Sequence, residues 1–305
     1  MNFYSNGKLL ISGEYLVLKG ATALAVPVKY GQALQVSKSA GENELVWESR
    51  EMDDPWFNAT FKLPFFDVVE STDGSIARNL VSHFQAIEEL RPGFIKKMSG
   101  SHILTNLDFK RDWGFGSSSS LVSNLAYWAE LNPFDLHKLL SEGSGYDVVC
   151  AREDGPLFFT LKQGDYSTEA TDLPGTVTDH LFFAYLGIKK NSAKSVAKFL
   201  SEKKAYRVEK RLISELSRHL AKTKNILDFG YYMKEHEQIM SSLLKIPALK
   251  DERFKDLTGE IKSLGAWGGD FAMIAWNDTT KDLKNYLLKK GIDTVFAYKE
   301  LVKTR

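Results

Sequence analysis

Apolar and polar positions along the chain alternate between two periods, and the switches between them outline the elements. The stretch from Lys8 to Ile11 reads as a strand; Gly13 and Gly20 then punctuate the chain, and Ala23–Val28 and Ala33–Val36 read as paired strands. Glu44–Trp47 and Ala59–Leu63 continue the strand pattern. From Ser75 to Leu90 the period lengthens to that of a helix, with Ile76, Leu80, Phe84 and Ile87 on one face. Ser101–Phe109 returns to a strand, a glycine–serine run occupies Gly114–Ser120, and Leu121–Leu131 is again helical. Val148–Leu161 reads as strand around a turn at Asp154-Gly155-Pro156, and the segment Asp172–Thr178, with Pro174-Gly175, is the expected seam between two domains. Beyond it come a strand at His180–Leu186, helices near Ala193–Leu200, Val208–Leu220 and Phe229–Leu244, and a glycine-rich turn before the strand Phe271–Trp276. The mixture predicts an α+β protein with no internal repeat.

Composition narrows the function. The 305 residues are 43% hydrophobic and 26% charged, as in an ordinary globular protein, so disorder is not expected. Forty basic residues against 39 acidic leave a charge of +1, which gives no bulk field for nucleic acid or a membrane surface, so any partner must be recognised locally. Cys150 is the only cysteine, which removes disulfide frameworks and cysteine-rich zinc sites and fits a reducing compartment. The residues around Asn6, Lys8 and Glu14 lack the apolar core of a signal peptide, and no uncharged run approaches membrane-spanning length, so a cytoplasmic location is expected. His83, His102, His137, His180, His219 and His236 show no ligand spacing and are expected to be structural or exposed. Pro55–Phe57 and Pro64-Phe65-Phe66 could line a pocket, but core packing is the better expectation.

Three loops carry the candidate chemistry. Gly114-Phe115-Gly116-Ser117-Ser118-Ser119-Ser120 stands between a strand and an amphipathic helix. Glycines there let backbone N–H groups turn toward an anion, the helix N-terminus adds positive potential, and serine hydroxyls can ligate Mg²⁺; a flexible linker is the alternative. Gly265-Ala266-Trp267-Gly268-Gly269-Asp270 allows close approach of main chain to a ligand, or is a tight turn. In Gly143-Ser144-Gly145-Tyr146-Asp147 an acid follows a small-residue turn, where it can orient an acceptor hydroxyl or take its proton, or merely cap the turn.

Taken in order with Gly7-Lys8-Leu9-Leu10-Ile11-Ser12-Gly13-Glu14-Tyr15, these segments resemble the motifs of the GHMP kinases, the superfamily of galactokinase, homoserine, mevalonate and phosphomevalonate kinases. The resemblance spans nearly the whole chain. It implies a two-domain fold, residues 1–172 of the ribosomal-protein-S5 type and residues 173–305 ferredoxin-like, with ATP in the cleft between them. It further implies that Gly114, Gly116, Ser117, Ser118, Ser119 and Ser120 hold ATP, with Ser118 on Mg²⁺, and that Lys8 and Asp147 are catalytic. Glu14, Tyr15, Ser144, Gly145, Gly265, Ala266, Gly268 and Gly269 are implied around the substrate. Glu14-Tyr15, Gly-Ser-Gly-Tyr-Asp-Val and Gly269-Asp270 look most like phosphomevalonate kinases. Lys189, Lys190 and Ser192 resemble the segment that meets the acceptor phosphate in that group, although a solvated lysine pair is the plain alternative.

The departures bear on the acceptor. Trp267 stands where the family has glycine, so either the backbone there accepts a bulky residue or the turn has changed shape. Phe115 replaces leucine, Lys110 replaces proline, and Glu130 and Glu142 are the candidates for a second magnesium ligand. The expected activity is therefore phosphoryl transfer from ATP to a small anionic acceptor, phosphomevalonate first and mevalonate second. A sugar or homoserine kinase, or a non-catalytic nucleotide sensor, is the alternative. A homodimer is compatible with the sequence.

Overall fold

A computed structural model describes the chain apart from residues 39–40, 189–191, 203, 266 and 268. Two compact units emerge. The first comprises Met1–Gly7, Tyr30–Arg111 and Phe115–Arg152; the second comprises Lys8–Lys29, Asp112–Gly114 and Glu153–Arg305. This differs from the expected seam at residue 172 in two ways: the chain changes unit near Arg152, and two early segments go with the later unit. The reason lies in the strands β1 (Asn2–Ser12) and β2 (Thr22–Lys38), which each run from one unit into the other.

In the first unit β3 (Glu44–Glu51), β4 (Asp54–Lys62), β5 (Asp67–Ser71) and β6 (Ser101–Leu107) pair in the order β5–β4–β3–β6–β2, with β3 and β6 parallel and the other pairs antiparallel. Helices α1 (Gly74–Leu90), α2 (Phe94–Met98), α3 (Ser117–Ala129), α4 (Pro133–Leu140) and α5 (Tyr146–Cys150) complete it. The start of α1 is capped by Asp73, whose side chain accepts from the N–H groups of Ser75 and Ile76 at 2.8 and 3.1 Å, a cap worth about 1 kcal/mol. The predicted apolar face of this helix is buried through Leu80, Phe84 and Ile87, and Phe84 meets Trp47, Phe61 and Phe66 at centroid distances of 5.3–5.8 Å. Core packing therefore accounts for Phe57 and Phe66, while Phe65 is exposed.

The second unit holds β7 (Leu157–Lys162) and β8 (Asp165–Ala170), a hairpin on the first half of β2, and the helix α6 (Gly175–Thr178). A four-stranded antiparallel sheet follows, built from β9 (Leu181–Tyr185), β10 (Glu260–Ser263), β11 (Phe271–Ala275) and β12 (Val295–Ala297) in the order β10–β11–β9–β12. Helices α7 (Ser192–Ser201), α8 (Arg207–Lys222), α9 (Ile226–Leu244) and α10 (Leu249–Arg253) lie between β9 and β10, α11 (Thr280–Lys289) connects β11 to β12, and α12 (Tyr298–Leu301) ends the chain's regular structure. Helices between the first and second strands, a helix between the third and fourth, and the spatial order 2-3-1-4 make this the expected ferredoxin-like arrangement. No described helix is long and apolar enough to cross a membrane.

Three local expectations are corrected. Ala23–Val28 and Ala33–Val36 do not pair with each other: they are one strand, whose residues 22–25 pair with β7 and 32–38 with β6. Pro27, which has no N–H to give a ladder, lies between the two pairings. Val148–Cys150 are helical, and the strand begins only at Leu157. Finally, α3 begins at Ser117, so the serines form its first turn and not a loop.

Candidate functional site

The turn before α3 is built for close approach. Gly114 and Gly116 have φ of 69° and 88°, a region that disfavours a side chain, and Gly116 caps α3 without a side-chain hydrogen bond to its first N–H groups. The open donors of a 13-residue helix thus face whatever anion reaches its start. The serines divide by partner. Ser119 Oγ donates to the Gly116 carbonyl at 2.9 Å, and Ser120 Oγ donates to Gln32 Oε1 at 2.9 Å, so both buried hydroxyls brace the turn. Ser118 is exposed, and with Ser117 it lines a cavity of about 170 Å³ in the first unit.

Aromatic and polar side chains both line that cavity. Trp56, Asn79, His83 and Arg111 line it together with the two serines. The Arg111 guanidinium lies 3.9 Å from the Trp56 ring centroid, held by Glu51 at 2.6 Å. Trp56 Nε1–H is buried without an acceptor. Burial holds His83 below the usual histidine range despite its Nδ1 contact with the Asn79 carbonyl at 2.7 Å, so the ring is neutral near pH 7. The sequence favoured core packing for Pro55–Phe57, and it gave no role to Asn79 and His83. Their i, i+4 spacing among the apolar positions of α1 was the available signal.

In the second unit Lys8 Nζ donates to the Gly114 carbonyl at 3.2 Å. A Cβ on Gly114 would collide with the Asp270 carboxylate, so the last residue of the glycine-rich turn fits against the first glycine of the serine loop. Residues 112–114 are anchored there by Trp113 on Phe296, with ring centroids 5.4 Å apart. Burial pushes the Tyr185 hydroxyl up to about 12, helped by its hydrogen bond to Asp112. Trp267 keeps a left-handed backbone, φ 48°, and its indole is buried with Leu16, Phe199, Ile213 and Met240. The backbone conformation that glycine would favour is thus retained, with a bulky side chain directed into the core.

Asp147 is half-buried in the first turn of α5, where Val148 N–H donates to its Oδ1 at 3.1 Å. Ser144 is buried and Gly145, φ 75°, packs where a Cβ would meet the Phe134 ring at 2.7 Å, a structural reason for that glycine. Glu130 is withdrawn as a metal candidate: it caps α3 on the surface in ion pairs with Arg91 at 2.9 Å and Lys97 at 3.4 Å, and Glu142 is exposed on the loop after α4. Among the described residues no group of three or more His, Cys, Asp or Glu could hold a metal. The exposed Ser118 hydroxyl is an oxygen donor of the kind that suits magnesium, an ion that keeps most of its water. Gly265 has φ 70° with open space at its Cβ position, and Gly269 is buried in the same turn; Ala266 and Gly268 lie outside the described residues. So do Lys189 and Lys190, and Ser192 opens α7.

Glu14 is placed differently from the expected acceptor wall. It is 1% exposed, paired with Lys262 Nζ at 2.6 Å and 3.1 Å from His236 Nε2, and so offers no surface to a substrate. Burial raises its pKa, but attraction led by the Lys262 ammonium more than offsets this and holds it below the usual glutamate range. Tyr15 packs on Phe199, centroids 5.5 Å apart. Beside them burial pushes Glu237 up to about 8, so it is protonated at neutral pH. Between the ordinary glutamate range and pH 8 the folded chain therefore binds a proton that the unfolded chain lacks, and stability falls as pH rises through that window. Glu237→Gln is expected to flatten this limb in urea melts from pH 5 to 8.5; an unchanged slope would show that another group sets it.

No family model and no curated protein matches the chain. Solved structures do. Phosphomevalonate kinase of Streptococcus pneumoniae, in complex with phosphomevalonate and AMPPNP, is similar over 97% of this chain and 99% of its own, with a TM-score of 0.71 at 16% identity. Mevalonate kinase of Methanococcus jannaschii matches over 100% and 98%, with a TM-score of 0.67 at 15% identity. The fold is that of the GHMP kinases. Galactokinase of Lactococcus lactis, complexed with galactose, shares this GHMP kinase fold over 99% and 93% of the two chains, with a TM-score of 0.69 at 10% identity.

Proposed function

We propose that this chain is an ATP-dependent kinase that phosphorylates a small anionic acceptor, phosphomevalonate first and mevalonate second. The observation that carries the reading is the uncapped start of α3, opening beside a cavity whose buried Trp56 N–H has no acceptor. A flat heterocycle suits the aromatic wall, and a phosphate chain suits the helix terminus. Trp56→Ala is expected to weaken ATP binding about tenfold, the loss of one stacked ring, measured by calorimetry; unchanged affinity would remove the base from this cavity.

The roles follow from charge. Backbone N–H groups of residues 116–119 hold the phosphates, with Ser118 directed to the metal. Magnesium, when bound, neutralises phosphate charge. Lys8, held by the Gly114 carbonyl, stabilises the transferred group, and Asp147 orients the acceptor. Tyr15, Ser144, Gly145, Gly265 and Gly269 are kept as neighbours of the acceptor, and Lys189, Lys190 and Ser192 as its phosphate contacts. A cytoplasmic enzyme is part of the same reading.

Incubation with Mg-ATP and a panel of phosphomevalonate, mevalonate, homoserine, galactose and N-acetylhexosamines tests it. Acceptor-dependent ADP release with either mevalonate-route compound supports the reading. Release with a sugar or homoserine alone transfers the protein to that specificity, and ATP binding with no release for any acceptor points to a sensor.

A further inference from the structure

Four ionisable side chains to which the proposed reaction gives no role are sealed inside the second unit. Glu14, His236, Glu237 and Lys262 are 0–3% exposed. They come from the segment after β1, from α9 and from β10. Lys262 Nζ donates to Glu14 Oε1 and to the Ser263 carbonyl at 2.6 and 2.7 Å, and Leu249 N–H donates to Glu237 Oε2 at 3.4 Å. The arrangement turns on one atom. Gly13 N–H donates to His236 Nε2 at 3.2 Å, while Glu14 Oε2 lies 3.1 Å from the same nitrogen. Glu14 Oε2 and His236 Nδ1 are buried without a hydrogen-bond partner. A ring nitrogen cannot accept from an amide and donate to a carboxylate at once. The neutral acceptor form satisfies Gly13; a proton on Nε2 satisfies Glu14 and strands the amide.

Gly13 cannot readily move to relieve the conflict. Its φ is 96°, and a Cβ there would meet Ala23 Cβ at 2.7 Å. Next to it Ser12 Oγ donates to Ser217 Oγ at 2.7 Å. This residue ends β1, the strand that carries Lys8, and Lys262 stands on β10 just before the glycine-rich turn, which Leu264 N–H closes by donating to the Phe271 carbonyl at 3.0 Å.

We propose that His236 is a positioning residue: its Nε2, accepting from Gly13, fixes the turn that ends the Lys8 strand, and the Glu14–Lys262 pair carries that setting to the turn at Gly265–Asp270. The charged groups acting on the ring are Glu14 beyond β1 and Lys262 on β10, while Glu237, next on the same helix, interacts with those two; α8 brings Ser217 to Ser12, and its His219 stacks on Tyr232, centroids 4.9 Å apart. Burial, then the Lys262 charge, hold the imidazole below its usual range in spite of Glu14. The Gly13 bond is therefore present at neutral pH and is lost on acidification, as protonation turns the acceptor into a donor.

The proposal rests on the kinase reading only for the importance of Lys8, so its test reads backbone amides. Protection factors, which remove the intrinsic effect of pH on exchange, are measured by NMR on the ¹⁵N-labelled full chain at pH 7.5 and at the lowest pH at which the chain stays folded. In the wild type, protection at Gly13 and Leu264 should fall about tenfold or more at the lower pH, while amides of β6 in the first unit hold theirs. His236→Gln can accept from Gly13 through its amide oxygen and donate to Glu14 through its nitrogen, so its protection should not change with pH. Constant wild-type protection at Gly13, an equal loss in His236→Gln, or a loss spread evenly over β6 would overturn the proposal. A fall at Gly13 with Leu264 unmoved would overturn the link through Lys262. The wild-type comparison decides the matter even where the variant fails to fold. Once an acceptor is known, His236→Gln should leave the KM for ATP unchanged and remove the acid-side fall in kcat. Absence of any turnover would count against the kinase reading and leave the amide result standing.

Discussion

Lys8→Ala is expected to lower turnover about 10²–10³-fold while leaving the Kd for ATP within about threefold. The ammonium is half-buried and fixed at 3.2 Å from the Gly114 carbonyl, so it is held in place before substrate arrives. A preorganised charge of this kind acts most strongly where negative charge accumulates, on the group in transit, and much less on phosphates already neutralised in the ground state. A split between kcat and Kd is thus the signature: turnover by coupled ADP assay, affinity by calorimetry. Parallel losses in both would make Lys8 a nucleotide anchor, and unchanged turnover would refute its placement. Lys8→Arg should restore little, because the larger planar group cannot occupy the same contact with Gly114.

Asp147→Asn should cost about 10²–10⁴-fold in turnover on an alcohol acceptor, the range for a lost general base. A phosphate monoester, with a second pKa of about 6, is already ionised at pH 7, so on phosphomevalonate the same substitution should cost roughly tenfold or less through orientation alone. The ratio of the two losses therefore reports which oxygen is phosphorylated. Near-normal turnover on both acceptors would remove Asp147 from the mechanism. Because Val148 N–H donates to Oδ1, asparagine can keep that bond through its own oxygen, and folding should be preserved.

The order of the glycine motifs was legible in the sequence, and so were α7, α8 and α9 of the second unit, because strong amphipathic periods and glycine runs are local signals. What escaped is set by distant partners. Residues 23–36 look like two strands because Pro27 and Gly31 interrupt them, yet separate neighbours, β7 and β6, keep one strand extended across the break. Glu14 reads as polar and accessible until Lys262, 248 residues away, is found beside it. Serines 117–120 form one run in sequence, but the helix sends two hydroxyls inward and leaves Ser118 exposed, a distinction of rotation that composition cannot carry. Trp267 looked like a damaged glycine motif; the left-handed backbone is kept and the indole fills the core instead.

The most direct measurement is to follow the terminal phosphoryl group itself. With Mg-ATP, phosphomevalonate and a catalytic amount of the protein, ³¹P NMR should show the γ resonance decline as the coupled pair of doublets of a new diphosphate monoester grows in equal amount. Consumption of ATP yielding only inorganic phosphate, or ATP left intact in the presence of every acceptor tested, would contradict the account.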